Sequence, residues 1–550
     1  MRSWLLAPFA LDLRSLAAFR MALAALVLWD TFARALLLRD HYADAGILPR
    51  MARIANFDLS LTGDYQYWWS LHMMSGEPWG IGVLLALQAA AALCLLVGYR
   101  TRLAVIAAFV LVVSIQVRNP LILDGGDDLI KCLLFWSIFI PLGGLWSIDA
   151  ALTLRRQRED DITWETEALG EAGAIGSESA RSGRPATRPA KATPPHHAVL
   201  SLGTAALIVQ IASVYLFSAV MKTGEEWYPD YTASYYAMHL DMFATSLGVW
   251  LRDQHTLLYG LTFATYWLEW IVPFLLFSPV KNAWCRMVGV LTFWAFHLGT
   301  ILTLDIGLFP FVGMCAWIAL LPGTFWDAWP GRLVMRVGAA VFGWLTRRLP
   351  GEYRWGAVRG VDRWFPSPET PTAHLNRAAK VFVAVMLVYV FLWNLRETNA
   401  NYWEPRVLPN SLTWIGRLTH MDQSWGMFGR PPHSDGWFVM VGTLNDGTRV
   451  NLWDPGQPVT FARPTLVSRT LKGQRWRKYF SNIYLAQYAN YREYFCEFLM
   501  QRWNDFHAGG DERKMVEPSN VVLYLMRENT PPPGEAATDV QRERLWPLAK

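Results

Sequence analysis

Long apolar stretches recur along this chain, and they constrain its fold more than any other feature. A helix needs about 20 mostly apolar residues to cross a bilayer. Nine stretches approach or reach that length, with the third and eighth short: 15–37, 80–98, 102–118, 129–146, 196–221, 257–278, 286–303, 305–322 and 377–395. The sequence therefore predicts a polytopic α-helical membrane protein with about nine spans. The lipid bilayer is thus its first predicted interaction partner.

The composition agrees with this interpretation. Only 17% of the residues are charged, whereas soluble domains average roughly 25%. The chain also carries 29 Trp, a residue that collects at membrane–water interfaces. Its net charge of +5 is spread over short loops instead of forming a patch, which argues against nucleic acid as a partner. The five cysteines have no metal-ligand spacing, so no metal site is predicted.

The basic residues of the short loops predict the orientation of the chain. Lys and Arg cluster after the second, sixth and eighth stretches, and these three loops fall on one side if nine spans are correct. Basic loops stay in the cytoplasm. We therefore expect a protein of the cytoplasmic membrane, with its N-terminus inside and its C-terminal region outside the cytoplasm.

Composition divides the chain into segments. Residues 1–325 form the predicted membrane domain, and within it the polar stretch 155–195 is expected to be a disordered cytoplasmic loop. Residues 326–376 are a basic cytoplasmic loop with an interfacial helix near 334–346, and 377–396 are the last span. Residues 397–530 are predicted to form an extracytoplasmic α+β domain, and residues 531–550 a flexible tail.

Local patterns within 397–530 predict its elements. Apolar-aromatic stretches flank Asp446-Gly447, which is a strong hairpin signal. An amphipathic helix is predicted from Arg475 to Phe506, and the apolar run 520–526 predicts another strand. These elements are those of a small α+β domain.

Polar side chains gather at the predicted outer ends of the spans. Ionisable groups at membrane depth are costly and therefore suggest function. The topology places these candidates on one face: Asn119, Asp124, Asp127 and Asp128 after the third span, Lys222 at the end of the fifth, and His297 and Asp305 near the end of the seventh.

Lys222 has two interpretations that the sequence leaves open. A lysine at a helix end commonly extends its ammonium group to the interface as an anchor. Glu225 and Glu226 follow at helical spacing and could pair with it, which would keep the lysine charged. Burial would have the opposite effect and would favour a neutral amine that can act as a base.

The other candidates also have structural alternatives. His297 stands among aromatic residues, so it could be a hydrogen-bonded core histidine. Asp127 and Asp128 follow two glycines and could cap a helix. Asp305 precedes Gly307 and could be a turn residue. The chain contains no P-loop, GxSxG or HExxH motif of a soluble enzyme.

Four blocks of the sequence resemble a known family. They read LLRDHYADAGILPR at 37–50, RNPLILDGGDDLIKCLLFWSIFIPLGGLWSIDA at 118–150, YLFSAVMKTGEEWYPD at 215–230 and FWAFHLGTILTLDIGLFPFVGMCAWIALLP at 293–322. The chain resembles the HTTM (horizontally transferred transmembrane domain) family, the bacterial relatives of vitamin K-dependent γ-glutamyl carboxylase. The resemblance covers roughly residues 1–325.

The resemblance implies an activity and roles for these residues. The carboxylase deprotonates reduced vitamin K with a lysine, and O2 and CO2 are its co-substrates. By this resemblance Lys222 would be the base on reduced vitamin K or another lipid quinone, and His297 a second catalytic residue. The substrate-binding residues would be Asn119, Asp127, Asp128, Trp227 and Asp305. A peptide or protein outside the cytoplasm would be the acceptor.

One departure from the carboxylase pattern limits what the resemblance implies. The carboxylase has a histidine beside the asparagine before the fourth span, whereas Pro120 follows Asn119 here. The quinone chemistry is therefore better supported than the carboxylation. Two alternatives remain open: an enzyme that oxygenates its quinone without fixing CO2, and a non-catalytic scaffold or transporter whose outer domain binds a partner.

Overall fold

The structure is a computed structural model of the 550-residue chain. It describes residues 6–56, 68–153, 197–334, 336–337, 375–398, 407–507, 512–536 and 539–547. The loop predicted at 155–195 lies outside the described residues, as does most of the basic loop and interfacial helix predicted within 326–376.

Six helices of the described chain are long and apolar enough to cross a membrane. We name them α1 (Leu13–Leu36), α2 (Pro78–Val97), α3 (Thr101–Arg118), α5 (Leu202–Met221), α7 (Asn282–Thr303) and α9 (Arg377–Thr398). They have 18 to 24 residues, which is close to the length that a bilayer requires. The prediction of a polytopic helical protein is confirmed at this level.

The other three predicted spans form helices that are either too short or not apolar enough to be counted as candidate membrane spans. They are α4 (Gly125–Ser137, 13 residues), α6 (His255–Leu275, 21 residues) and α8 (Phe309–Ile318, 10 residues). Helices α4 and α8 are too short to cross alone, and α6 carries His255, Glu269 and several hydroxyl groups that reduce its hydropathy. Nine spans are therefore not shown by the structure.

Side-chain caps fix where the central helices begin. Asp124 and Asp127 form a reciprocal capping box at the start of α4, and Ser201 and Thr204 form another at the start of α5. A two-stranded antiparallel ribbon pairs β1 (Ala10–Asp12) with β2 (Ala198–Leu200) just before α1 and α5. Both helices thus start at the same end of the bundle.

Helix α5 is central in the bundle. It packs against α4, α6 and α9, while α1 packs against α2 and α8. Their buried faces share one apolar core. Short helices complete the described part of this unit: Leu38–His41, Arg50–Ala55, Ala233–Met238, Ser246–Leu251 and Gly323–Asp327.

The C-terminal unit contains a four-stranded antiparallel sheet in the order β4-β3-β5-β6. Its strands are β3 (Ser434–Leu444), β4 (Arg449–Asn451), β5 (Val516–Asn529) and β6 (Gln541–Trp546). Gly447 turns the β3–β4 hairpin with a φ of 86°, a conformation that favours glycine. The predicted hairpin and the predicted strand at 520–526 are confirmed.

Two helices accompany this sheet, α11 (Gln474–Ile483) and α12 (Arg492–Phe506), with a short helix at Val467–Thr470, whereas α10 (Thr413–Thr419) contacts α9 of the bundle. The single helix predicted from Arg475 to Phe506 is instead two helices, because a 3-10 segment at Ala486–Tyr491 separates them. The tail predicted as flexible at 531–550 is also wrong in part, since it supplies strand β6.

Helix α11 joins the two units. It packs against the 3-10 turn Pro120–Ile122 that follows α3. Trp476 and Phe480 of α11 share a second apolar core with Leu121 and Ile122 of that turn. The C-terminal unit therefore lies on the end of the bundle where α3 and α5 end and α4 begins.

Candidate functional site

Lys222 forms a buried ion pair at the end of α5. It caps that helix, and only 3% of its side chain is exposed. Its ammonium group donates to the Glu269 carboxylate and to Ser218 Oγ at 2.7 Å. The Trp227 ring centroid lies 4.7 Å from Lys222 Nζ, a cation–π contact. Lys222 and Trp227, predicted together, do meet.

The two glutamates that follow Lys222 are not its partners in the described chain. The Glu226 carboxylate instead binds His433 Nε2 of the C-terminal unit at 2.7 Å. Lys222 pairs with Glu269, which lies 47 residues along the chain in the middle of α6. The lysine thus belongs to an interhelical ion pair and not to a local helical one.

His297 occupies a different buried pocket. Its Nε2 lies 2.8 Å from the Tyr215 hydroxyl, which also accepts a hydrogen bond from Trp317 Nε1 at 3.0 Å. Because an indole can only donate, the Tyr215 hydroxyl is free to donate its own proton to His297. Nδ1 of His297 is buried and has no hydrogen-bond partner among the described residues.

Helix α5 relates these two groups. Tyr215 and Lys222 are seven residues apart, which is two turns on one face of a helix and roughly 10 Å of rise. His297 approaches Tyr215 from α7, while Glu269 approaches Lys222 from α6. The structure therefore brings His297 and Lys222 to the same helix but not into contact.

Asn119 and Asp127 are engaged in structural roles. The Asn119 amide donates to the His41 carbonyl at 2.8 Å, and its oxygen caps the turn at Leu121. Asp127 is 1% exposed and binds Arg34 and Arg475, each at 2.5 Å. Neither side chain lines the cavity described next.

Asp128 and Asp305 line a cavity of about 480 Å³ between the bundle and the C-terminal unit. Its walls come from the start of α4, the chain near 240–243 and 305–306, the segment 424–436, helix α11 and strand β5. Asp128 forms an ion pair with Lys131 at 2.8 Å, and Asp305 forms one with Arg477 at 2.6 Å. Cavities of this size commonly hold small ligands.

Burial changes the protonation of two further carboxyl groups in this cavity. It raises the pKa of Asp435 to about 7, against the opposing effect of backbone hydrogen bonds. Burial and the neighbouring Asp127 raise the pKa of Asp124 to about 6. Removal from water disfavours a carboxylate, so part of the acidic lining is neutral near pH 7.

Trp227 connects the ion pair to the cavity wall. Its indole N–H donates to the Phe428 carbonyl at 2.8 Å, and Phe428 lines the cavity. The cavity lining does not include Lys222, Glu269 or His297. The predicted residues thus divide among an ion pair, a histidine pocket, a structural network and a cavity, which are neighbours but separate.

Glu269 and Tyr215 were not among the functional residues predicted from the sequence. Glu269 is the only acidic residue in the stretch 257–278, and an isolated acid in an apolar stretch is a functional candidate on physical grounds alone. Tyr215 has no comparable signal, because a tyrosine in an apolar stretch also suits an ordinary core. In the described residues, no group of three or more His, Cys, Asp and Glu is placed to hold a metal ion.

The fold is consistent with a polytopic helical membrane protein that carries a C-terminal unit with an antiparallel sheet. Comparison with protein-family models, with curated proteins and with solved structures finds no match to this chain.

Proposed function

We propose that this chain is an integral membrane enzyme that removes a proton from a lipid-soluble weak acid at Lys222 and Glu269. The observation that carries the proposal is the buried ion pair itself, held between α5 and α6 beneath Trp227. Charged groups in such surroundings are expensive and mark functional sites. The resemblance to the HTTM family and the vitamin K-dependent carboxylase suggests a reduced quinone as the acid.

The proton balance of the pair supports this chemistry. Lys222 and Glu269 share an ammonium and a carboxylate, so together they can accept one more proton. The hydroxyl proton of the substrate passes to the pair and leaves Glu269 neutral, while the Lys222 ammonium becomes the counter-ion of the substrate oxyanion. An opposite charge nearby favours the ionised form of the substrate, which lowers the cost of deprotonation.

His297 acts in this proposal as a positioning residue. Its bond to Tyr215 fixes the phenol two turns before Lys222 on the same face of α5. O2 is the co-substrate that the resemblance suggests. Carboxylation of a glutamyl side chain with CO2 is the less supported half, because Pro120 stands where the carboxylase has a histidine.

The proposed topology places this pair near the outer face of the cytoplasmic membrane. Nine crossings would require α4, α6 and α8 to traverse the bilayer within the bundle, and the C-terminal unit would then lie outside the cytoplasm. A reporter fused after Lys550 tests this arrangement. We expect activity typical of the extracytoplasmic side; a cytoplasmic signal contradicts the nine-span topology.

The activity is tested by epoxidation of a reduced quinone in membranes that contain the full chain. We expect Lys222→Ala and Glu269→Gln each to reduce turnover at least 100-fold, in line with the contribution of general acid–base catalysis. Lys380→Ala, which removes an exposed cation near the start of α9, serves as the matched control. Turnover that survives both substitutions at the pair contradicts the proposal.

A second function is favoured by one observation. The described cavity does not reach Lys222, whose ammonium already has Glu269, Ser218 and Trp227 as partners. A non-catalytic scaffold or transporter would need the pair only to fasten α5 to α6. In that case Lys222→Met with Glu269→Met would leave the protein well folded and its membrane function unchanged, because an apolar pair can replace a buried ion pair.

A further inference from the structure

The cavity between the bundle and the C-terminal unit carries four carboxyl groups, and each of them already has a partner. None therefore needs a cation from outside. Asp124 accepts from the Gly126 N–H and the Gln474 amide, Asp128 binds Lys131, Asp305 binds Arg477, and Asp435 accepts from the Met242 N–H at 3.0 Å.

The cations of the same cavity are less completely paired. The side chains of Lys478 and of the exposed Arg430 make no hydrogen bond or ion pair with the described residues, although both residues line the cavity. Arg477 is 4% exposed, and its Nε is buried without a partner even though its Nη atoms bind Asp305. Buried donors without partners are rare in folded proteins. The side chains of this cavity that lack direct partners are thus cationic donors.

The position of Lys478 strengthens this point. It lies on the face of α11 that also presents Gln474, Arg477 and Ser481 to the cavity. Burial lowers the pKa of its ammonium group, although Asp124, Asp127 and Asp128 act in the opposite direction, so these carboxylates do not fully replace water around this charge. An anion in the cavity would supply the missing partner.

Apolar side chains also line the cavity, among them Leu240, Met242, Phe243, Ile306, Met427 and Phe428. A ligand that fills the cavity must therefore combine an anionic head with an apolar body.

We propose that this cavity is a binding site for an anionic amphiphile, with its carboxylate or phosphate head on Lys478, Arg430 and Arg477 and its apolar body against Met242, Phe243 and Met427. The head group could belong to a free organic acid or to an anionic lipid, since both offer the same chemistry. The site is separate from the Lys222–Glu269 pair, so the two proposals stand or fall independently.

Binding of radiolabelled decanoate to the full-length protein in phosphatidylcholine nanodiscs tests the site. After subtraction of empty nanodiscs, we expect saturable binding at about one decanoate per chain, which decanol does not displace. Lys478→Met should weaken binding about tenfold or more, because a hydrogen bond to a charged group is lost. Lys478→Arg should stay within about threefold of wild type.

Two controls separate the site from general effects. Lys514→Met removes an exposed lysine of the same unit outside the cavity and should bind as wild type does. Lys222→Ala should also bind decanoate normally, even if it abolishes quinone turnover. Equal binding by wild type and Lys478→Met, or displacement of decanoate by decanol, overturns the proposal.

A measurement on the unmodified protein covers the case in which Lys478→Met fails to fold. Reductive methylation followed by mass spectrometry should show that the anionic ligand slows labelling of Lys478 but not of Lys514; a rate at Lys478 that neither decanoate nor phosphatidylglycerol changes overturns the site. Nanodiscs with phosphatidylglycerol identify the source of the head group. Protection of Lys478 by this lipid alone assigns the site to a lipid, and protection only by decanoate assigns it to a free acid.

Discussion

Arg475 is the side chain whose removal should most weaken the union of the two units. Its guanidinium group binds Asp30 of α1 at 2.6 Å and Asp127 of α4 at 2.5 Å, and it donates to the Ile122 carbonyl at 3.0 Å. Arg34 binds the same two carboxylates from the other side. All four charged side chains are at most 6% exposed, so water cannot replace a missing partner.

Arg475→Met leaves two buried carboxylates that share only Arg34. Removing one partner of a buried ion pair costs about 3–5 kcal/mol. For a folded unit of about 150–250 residues, a loss of 1 kcal/mol in the free energy of unfolding lowers the thermal midpoint by roughly 2–4 °C. We therefore expect the midpoint of the detergent-solubilised protein to fall by about 10 °C. Asp127→Asn in the same chain removes one uncompensated charge and should recover part of this loss.

The chain contains its own probes for this measurement. Cys132 and Cys315 are buried in the bundle and Cys496 is buried in the C-terminal unit, and all three are free thiols. A dye that fluoresces on reaction with thiols reports their exposure during heating. Arg469→Met, at an exposed position of the C-terminal unit, is the control. A midpoint within about 2 °C of wild type for Arg475→Met refutes this reasoning.

Two further predictions concern Asp435 and Gly313. Asp435 has a pKa raised from 3.8 to about 7, so its stabilising contribution is complete below about pH 4 and is lost as the pH rises to about 7. Asp435→Asn should therefore gain stability over wild type across this window, by about 4 kcal/mol at most, and equal pH profiles of the thermal midpoint would exclude this linkage. A Cβ at Gly313 would overlap His297 Nε2, so Gly313→Ala should cost about 1–3 kcal/mol. Gly299→Ala, with no atom within 4 Å of the new Cβ, should leave the midpoint unchanged or raised, and equal midpoints for the two variants would show that the His297 pocket tolerates the methyl group.

The sequence predicts those parts of the fold that depend on local patterns. The apolar stretch at the start of the chain, the turn at Asp446-Gly447 and the apolar run 520–526 all form the expected elements. The length of an apolar stretch does not distinguish α4 and α8 from spans, because a short helix buried inside a bundle has the same composition as part of a span. Strand β6 was missed because its first four residues are polar and three prolines, Pro531 to Pro533, precede it.

The candidate sites show the same difference between features that depend on local sequence and contacts between residues that are distant in sequence. The position of Lys222 at a helix end follows from the sequence, but its partner is 47 residues away, and nothing near Lys222 indicates which acid it meets. Asp127 was expected in a substrate pocket or a cap. It does form a cap, and one of its two ion pairs, to Arg475, spans 348 residues. Pairings of this kind depend on how helices pack, which a single sequence does not specify.

The network around Arg475 has a consequence for how the protein is made. Asp30 and Arg475 are separated by 445 residues, and synthesis proceeds at about 5–20 residues per second. Arg475 is therefore synthesised roughly 20 to 90 seconds after Asp30 of helix α1. During that interval Asp30 and Arg34 can neutralise each other within the helix, whereas Asp127 lacks Arg475, its second partner. A chain truncated before α11 keeps this unmatched buried carboxylate permanently, so we expect its bundle to be less stable than that of the full chain.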